Sequence, residues 1–320
     1  MRTCSRVARP LSLVIFLSLL IVCGNSPVRA QQSGASSAGN RPYSLLDVLT
    51  LSAFGGDVPA FTPLSICEFG EGWLTPWIPP PNGELHLQRG GWVGADSAFF
   101  SREFDPAFTF NAGTAGTRDE FIGAATLFVP LNRRLQISMT VPFLDSLQST
   151  DVLPSATSFG DVIVTPQLML DQTETRDISL LLAIRTPTGQ TRTGNGKTIV
   201  SPTLALWQDL PDGWQLRGGI GMDIATHTNE GPPEVFNLNL ALGKTLTNHE
   251  AAPFGDLTPY LSANLSQALG GNRQTTQVTL TPGVRFFLGW HTYFIMGVNV
   301  PVINPRPFLP GLTVVISRGW

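Results

Sequence analysis

The sequence predicts an all-β chain: an antiparallel transmembrane β-barrel of about 12 strands with an irregular N-terminal extension. Three observations carry that expectation. Apolar and small polar residues alternate over segment after segment. Charged residues make up only 13% of the 320 residues, about half the share usual in soluble proteins. Past the N-terminus there is no apolar run of about 18 residues, so a helix is not the element that would cross a membrane.

The N-terminus reads as an export signal. Arg2, Arg6 and Arg9 precede the apolar stretch Leu11 to Val22, and Val28-Arg29-Ala30 offers small residues at a cleavage site. Residues 1–30 are therefore expected to be a signal peptide that sends the chain to a Gram-negative outer membrane. A lipid anchor at Cys23 is disfavoured, because Val22 stands where Gly, Ala or Ser is needed. Cleavage removes four arginines and no acid, so the mature chain is more acidic than the formal −3 of the whole sequence. That balance speaks against nucleic acid as a partner.

The alternation has period 2. In 134–143 Leu135, Ile137, Met139 and Val141 oppose Gln136, Ser138 and Thr140. In 214–224 Leu216, Ile220, Met222 and Ile224 oppose Gln215, Arg217, Gly219 and Asp223. In 235–243 Phe236, Leu238, Leu240 and Leu242 oppose Asn237, Asn239 and Gly243, and 260–266 and 278–288 repeat the scheme. A strand points successive side chains to opposite faces, so each segment has one apolar face and one face of small polar groups. A soluble β-sandwich alternates as well. Its solvated face, however, would carry Lys and Glu rather than Ser, Thr, Asn, Gln and Gly, and its strands would be nearer 5–6 residues, as an order of magnitude.

The strands are expected over roughly 105–113, 119–131, 134–145, 160–171, 177–186, 198–209, 214–226, 235–247, 257–268, 276–288, 292–303 and 311–320. Their connections run mostly long, short, long, short, as in outer-membrane barrels with short periplasmic turns; Asn248 to Asp256 breaks the rule by its length. Leu312, Val314, Ile316 and the terminal Trp320 share one face. That pattern resembles the C-terminal signal read by the barrel-assembly machinery, with Arg318 where an apolar residue is usual. Residues 105–320 are thus the expected barrel, with outer-membrane lipids around it.

Residues 31–104 form a linker and N-terminal extension. Gly, Ser, Gln and Asn dominate 31–41. Ser44 to Phe54 suits a short helix, with Ser44 and Asp47 placed as a capping box. Residues 57–104 hold Pro79-Pro80-Pro81 and the tryptophans Trp73, Trp77 and Trp92, with no strand pattern. Two placements stand: a periplasmic extension on the barrel rim, the favoured one, or a plug entering the lumen.

No catalytic, cofactor-binding or metal residue is assigned. His227-Thr228-Asn229, His249-Glu250-Ala251 and His291-Thr292-Tyr293 lack the Ser two residues on that outer-membrane lipid-modifying enzymes use, so a nucleophile has no base beside it. The remaining chemistry is the lumen. The strand register turns Asp161, Gln167, Arg185, Arg217, Asp223, Asn237, Asn239, Asn264 and Arg285 inward, where they either line a solute path or pair and close a narrow barrel.

Ser158-Phe159-Gly160-Asp161-Val162, then Ile184-Arg185-Thr186-Pro187-Thr188-Gly189, Gly194-Asn195-Gly196 and Ser201-Pro202 resemble a bacterial family of outer-membrane β-barrels named as transporters of the meta-pathway of phenol degradation. The resemblance spans 105–320. It implies a passive outer-membrane channel for small-molecule solutes, aromatic or apolar compounds among them, with no cofactor and no catalysis. A non-conducting envelope scaffold barrel is the alternative, and an outer-membrane lipid-modifying enzyme a distant one.

Overall fold

The computed structural model describes residues 43–81, 89–114, 118–148, 155–190, 196–226, 234–251, 253–269, 275–304 and 306–320. The expected signal peptide, the linker 31–41, His86, His227, Gly194 and Asn195 lie outside them.

Twelve strands close into an antiparallel barrel. In chain order they are β1 (Glu103–Thr114), β2 (Arg118–Pro130), β3 (Leu135–Leu147), β5 (Ile163–Gln172), β6 (Arg176–Arg185) and β7 (Ile199–Asp209), then β8 (Trp214–Ala225), β9 (Glu234–Lys244), β10 (Gly255–Leu269), β11 (Thr276–Gly289), β12 (Thr292–Pro301) and β13 (Gly311–Gly319), with the three-residue β4 (Ala156–Ser158) lying outside the ring. Each strand pairs with its sequence neighbours, and β1 pairs with both β2 and β13, which closes the ring and leaves no open edge. Tilted strands of about 9–11 residues cross a bilayer.

The expected strand over 160–171 begins later than the alternation suggested. Its ladder with β3 stops at Thr140↔Ile163. Two residues further along β3, Pro142 has no N–H to donate; its carbonyl instead accepts from Gly160 N at 3.0 Å. The preceding β4 caps the far end of β3, through pairs such as Asp145↔Ser158.

Burial is inverted relative to a soluble sandwich. In β9 Leu238, Leu240 and Leu242 are exposed while Asn239 and Ala241 are buried; in β8 Ile220 is exposed and Arg217 buried. Apolar groups face outward and polar ones inward, the distribution a barrel needs in lipid. Leu312, Ile316 and Trp320 of the last strand are likewise exposed.

Among the described residues the tight connections gather at one end. Asp212-Gly213 and Trp290-His291 take left-handed backbone there, with φ of 59° and 80°, and of 50° and 57°, matching the twist of a hairpin. The long connection between β9 and β10 sits at this same end and folds back on itself. Leu246 N donates to Leu257 O, and Asp256 Oδ2 accepts from Tyr293 Oη and meets His249 Nδ1, each of the latter two at 2.7 Å. The loop's length is absorbed by these internal bonds, so the rule of short turns is broken in sequence and hardly in space.

Candidate functional site: the lumen and the segment inside it

The chain before β1 begins at the short-turn end. The helix α1 (Leu45–Phe54) starts at the expected capping box: Asp47 N donates to Ser44 Oγ at 3.2 Å and Ser44 N to Asp47 Oδ2 at 3.1 Å. The Ser44 hydroxyl, at 2.7 Å, and then the Ser44 N–H donate to the Asp47 carboxyl and hold it below its ordinary value. Buried Ser52 accepts from Trp77 N at 2.8 Å. At the helix C-terminus Arg102 donates Nε to Ser52 O, a carbonyl the helix leaves over, and Nη2 to Leu51 O, which also accepts from Gly55 N. Burial lowers the Arg102 pKa.

The turn between β2 and β3 clamps the next stretch to the rim. Arg134 is fully buried and bonds five carbonyls: Nε to Glu71, Nη1 to Met169 and Leu170, Nη2 to Ser65 and Glu68, all at 2.8–3.1 Å. Arg133 donates to Thr62 Oγ1 and Thr62 O. Burial, and then the neighbouring Arg134 charge, pull Arg133 down to about 10. Leu64 adds a two-way backbone bridge to Gln172.

From Arg89 the chain turns into the barrel. Arg89 Nε meets buried Asp177 at 2.6 Å, and its guanidinium lies 4.2 Å from the Trp207 ring centroid. Arg217 Nη2 donates to Gly90 O at 2.6 Å. Trp92 stacks on Tyr260, centroids 4.9 Å apart and planes 2° from parallel, and Arg217 covers its other face at 3.8 Å. Val93 N donates to Tyr260 Oη, and Ser262 Oγ to Val93 O. Gly94 O accepts from both Asn239 Nδ2 (2.6 Å) and Asn264 Nδ2 (2.9 Å), whose residues pair midway along β9 and β10. This is the apex, a turn in which Ala95 N bonds Trp92 O. The chain then returns: Asp96 N to Asn239 Oδ1, Gln167 Nε2 to Ser97 O, Ala98 and Phe99 against Ala205 and Trp207, and Ser101 N to Gln136 Oε1. Burial raises the Asp96 carboxyl above its ordinary value.

Residues 89–101 therefore fill the short-turn half of the interior, while 44–77 lie at the rim. Of the nine inward residues read from the register, Gln167, Arg217, Asn239 and Asn264 hold this segment directly, and Arg285 is buried beside Gly90 with its guanidinium 5.0 Å from the Tyr293 ring centroid. Asn237 accepts from Ser266 Oγ at 2.7 Å, beyond the apex. Arg185 and Asp223 share the parity of Ser179 and Arg217 on their strands and are half-buried toward the long-loop end. Asp161 accepts from Gly189 N at 2.8 Å, tying the connection before β5 to the one after β6.

Arg89, Trp92, Gln136, Arg134 and Asp177 were not singled out from the sequence. A signal existed for one of them: adjacent Arg133 and Arg134 at a tight turn of so weakly charged a chain are unusual unless something at the rim uses them. The plug placement of 89–101 had none, because the strand side chains that hold it bond mostly to its backbone groups.

Gly94 shows how closely the apex fits. Its φ is +71°, and a Cβ there would lie 2.9 Å from Ser262 Oγ and 3.1 Å from both Asn264 Nδ2 and Thr281 Oγ1. Gly94→Ala is expected to weaken docking of the apex by about 1–3 kcal/mol, the cost of a non-glycine residue in that conformation. Faster amide exchange at 92–98, with the barrel still resistant to heat in detergent, checks it; unchanged exchange would contradict the fit.

The COG4313 outer membrane channel from Pseudomonas putida F1 is 10% identical to the chain with a TM-score of 0.56, covering 73% of this chain and 100% of that one. The KdgM porin (8% identical, TM-score 0.45, 68% of this chain and 99% of that one) and the NanC porin (10%, 0.46, 67% and 97%) are more distant. At such identities the first of these establishes the barrel fold alone. No curated protein sequence matches the chain. One family model does, over residues 94–305, from the apex of the inserted segment nearly to the last strand; it is described as "Putative MetA-pathway of phenol degradation", and the chain belongs to that family.

Proposed function

We propose that the chain is a passive outer-membrane channel for small solutes, narrowed from its short-turn end by residues 89–101 acting as a constriction. The observation that carries this is the contrast between the two halves of the interior. Below the apex the bore is occupied by aromatic and backbone groups of the inserted segment. Beyond it the inward faces carry Arg185, Asp223, Asn237 and Ser266, short polar and charged groups that water solvates. Trp92, Tyr260, Phe99 and Trp207 are buried against one another and against arginines at the narrowing, so aromatic or apolar compounds enter the proposal as solutes on the family's description. The reading includes no catalytic step, no cofactor and no metal. It places the chain among outer-membrane lipids, with the strand ending at Trp320 presented to the barrel-assembly machinery.

The test is single-channel conductance of the refolded mature chain in a planar bilayer, followed by competition of phenols against sugars. Steady current reduced by phenols supports the reading. Silence from a verified folded barrel favours the non-conducting scaffold, to which the Arg89–Asp177 pair and the Arg217–Trp92–Tyr260 stack also lend themselves, since they fill the lumen.

Arg185 lies beyond the constriction, so its charge acts on ions in a wet lumen. Arg185→Ala is expected to shift the reversal potential toward cation preference. A unit charge at about 4 Å in water contributes on the order of 1 kcal/mol, roughly fivefold in a permeability ratio. An unchanged reversal potential would take Arg185 out of the ion path.

A further inference from the structure

The helix α1 is apolar nearly all the way round. At about 100° per residue, Val48 and Ser52 share one face, and these are its buried residues. Leu46 and Phe54 lie on the other side and are 72% and 77% exposed, while Leu45 and Leu49, on the flank of the buried face, are 64% and 36% exposed. The one charged residue, Asp47, is spent in the capping box, and the last turn has no basic residue. A helix with one face on its own protein and the other in water would carry charge on the wet face. This one lacks that charge, so its second face needs an apolar cover.

The neighbouring surface says what covers it. Trp320, the outward-facing end of the last strand, donates Nε1 to Ala53 O at 2.9 Å, and the helix packs beside β2. At the same end of the barrel Phe104, Leu288 and Trp290 are exposed. Aromatic and aliphatic groups at that level form the girdle with which a barrel meets the edge of the bilayer. Trp320, itself a member of that girdle, is tied to the last turn of the helix through its bond to Ala53 O. We propose that α1 is an interfacial anchor, lying in the phospholipid leaflet at the short-turn end with Leu45, Leu46, Leu49 and Phe54 at the acyl boundary. This rests on the outer-membrane reading above. The helix thereby fixes the start of the inserted segment to the membrane surface as well as to the barrel.

The experiment is site-specific photocrosslinking of the full chain in native outer membranes. Benzoyl-phenylalanine replaces Leu46 in one variant, Leu240 in the middle of the outward wall in a second, and Asp57 just past the helix in a third. Heat-modifiable gel mobility confirms that each is folded. The expected result is a phospholipid adduct at Leu46 in yield comparable to Leu240, with little or none at Asp57. No lipid adduct at Leu46 while Leu240 gives one overturns the proposal, and so does an adduct at Leu46 made only with another protein. Absence of lipid adduct at Leu240 refutes the membrane barrel itself, a failure distinct from that of the anchor.

Discussion

A chain lacking residues 31–102 is expected to conduct severalfold more than the intact mature chain in a planar bilayer. The wall begins at Glu103, so the deletion leaves every strand and every strand pairing in place. Barrels of about eight strands are filled by their own side chains and those of about 16–18 hold aqueous channels. Twelve lies between, where the contents of the lumen decide. Here they are Trp92, Val93 and Phe99, packed on Tyr260, Ile295 and Trp207. Taking them out exposes inward Asn, Gln, Ser and Arg groups, which water can satisfy. Arg217 gains by it, since its Nε and Nη1 have no hydrogen-bond partner among the described residues with the segment docked. Equal conductance of the two chains would mean that the segment does not obstruct the ion path.

Arg134→Ala is expected to release the rim segment while sparing the barrel. All five guanidinium N–H groups are used, on carbonyls from the rim stretch (Ser65, Glu68, Glu71) and from β5 (Met169, Leu170). The alanine leaves several buried acceptors without a donor. At roughly 1–3 kcal/mol for an unsatisfied group, and because the groups are not additive, about 3 kcal/mol is a fair expectation, or about a hundredfold in the docking equilibrium. Protease cleavage within 62–77 should accelerate by a similar factor under native conditions. Arg134→Lys restores little, because three donors on one nitrogen cannot reach carbonyls that a planar fork spans. If Arg134→Ala is cleaved no faster, the clamp lies elsewhere, with Arg133 and the Leu64–Gln172 bridge as its remaining members.

The wall of this protein was legible because a membrane barrel imposes the same condition at every residue. A strand such as Glu234–Lys244 has lipid on one side and polar groups on the other, so Leu238, Leu240 and Leu242 had to alternate with Asn237, Asn239 and Gly243. Strand number, order and the inward set of side chains follow from that local period. Where the period was interrupted the reading slipped: Pro142 ends the β3–β5 ladder early, an effect set by which strand faces the proline.

The inserted segment is the opposite case. Residues 89–101 have no period, since they belong to no repeating element. They are held by side chains from β3, β5, β8, β9 and β10, reaching mainly for backbone atoms such as Gly90 O, Gly94 O and Ser97 O. Every peptide group offers such atoms, so nothing in their chemistry marks one stretch as lumen and another as rim. By itself the sequence determined the barrel and its polar interior. Only the tertiary structure decided that the chain before β1 turns inward and occupies half of it, because that choice depends on contacts brought together by closing the ring.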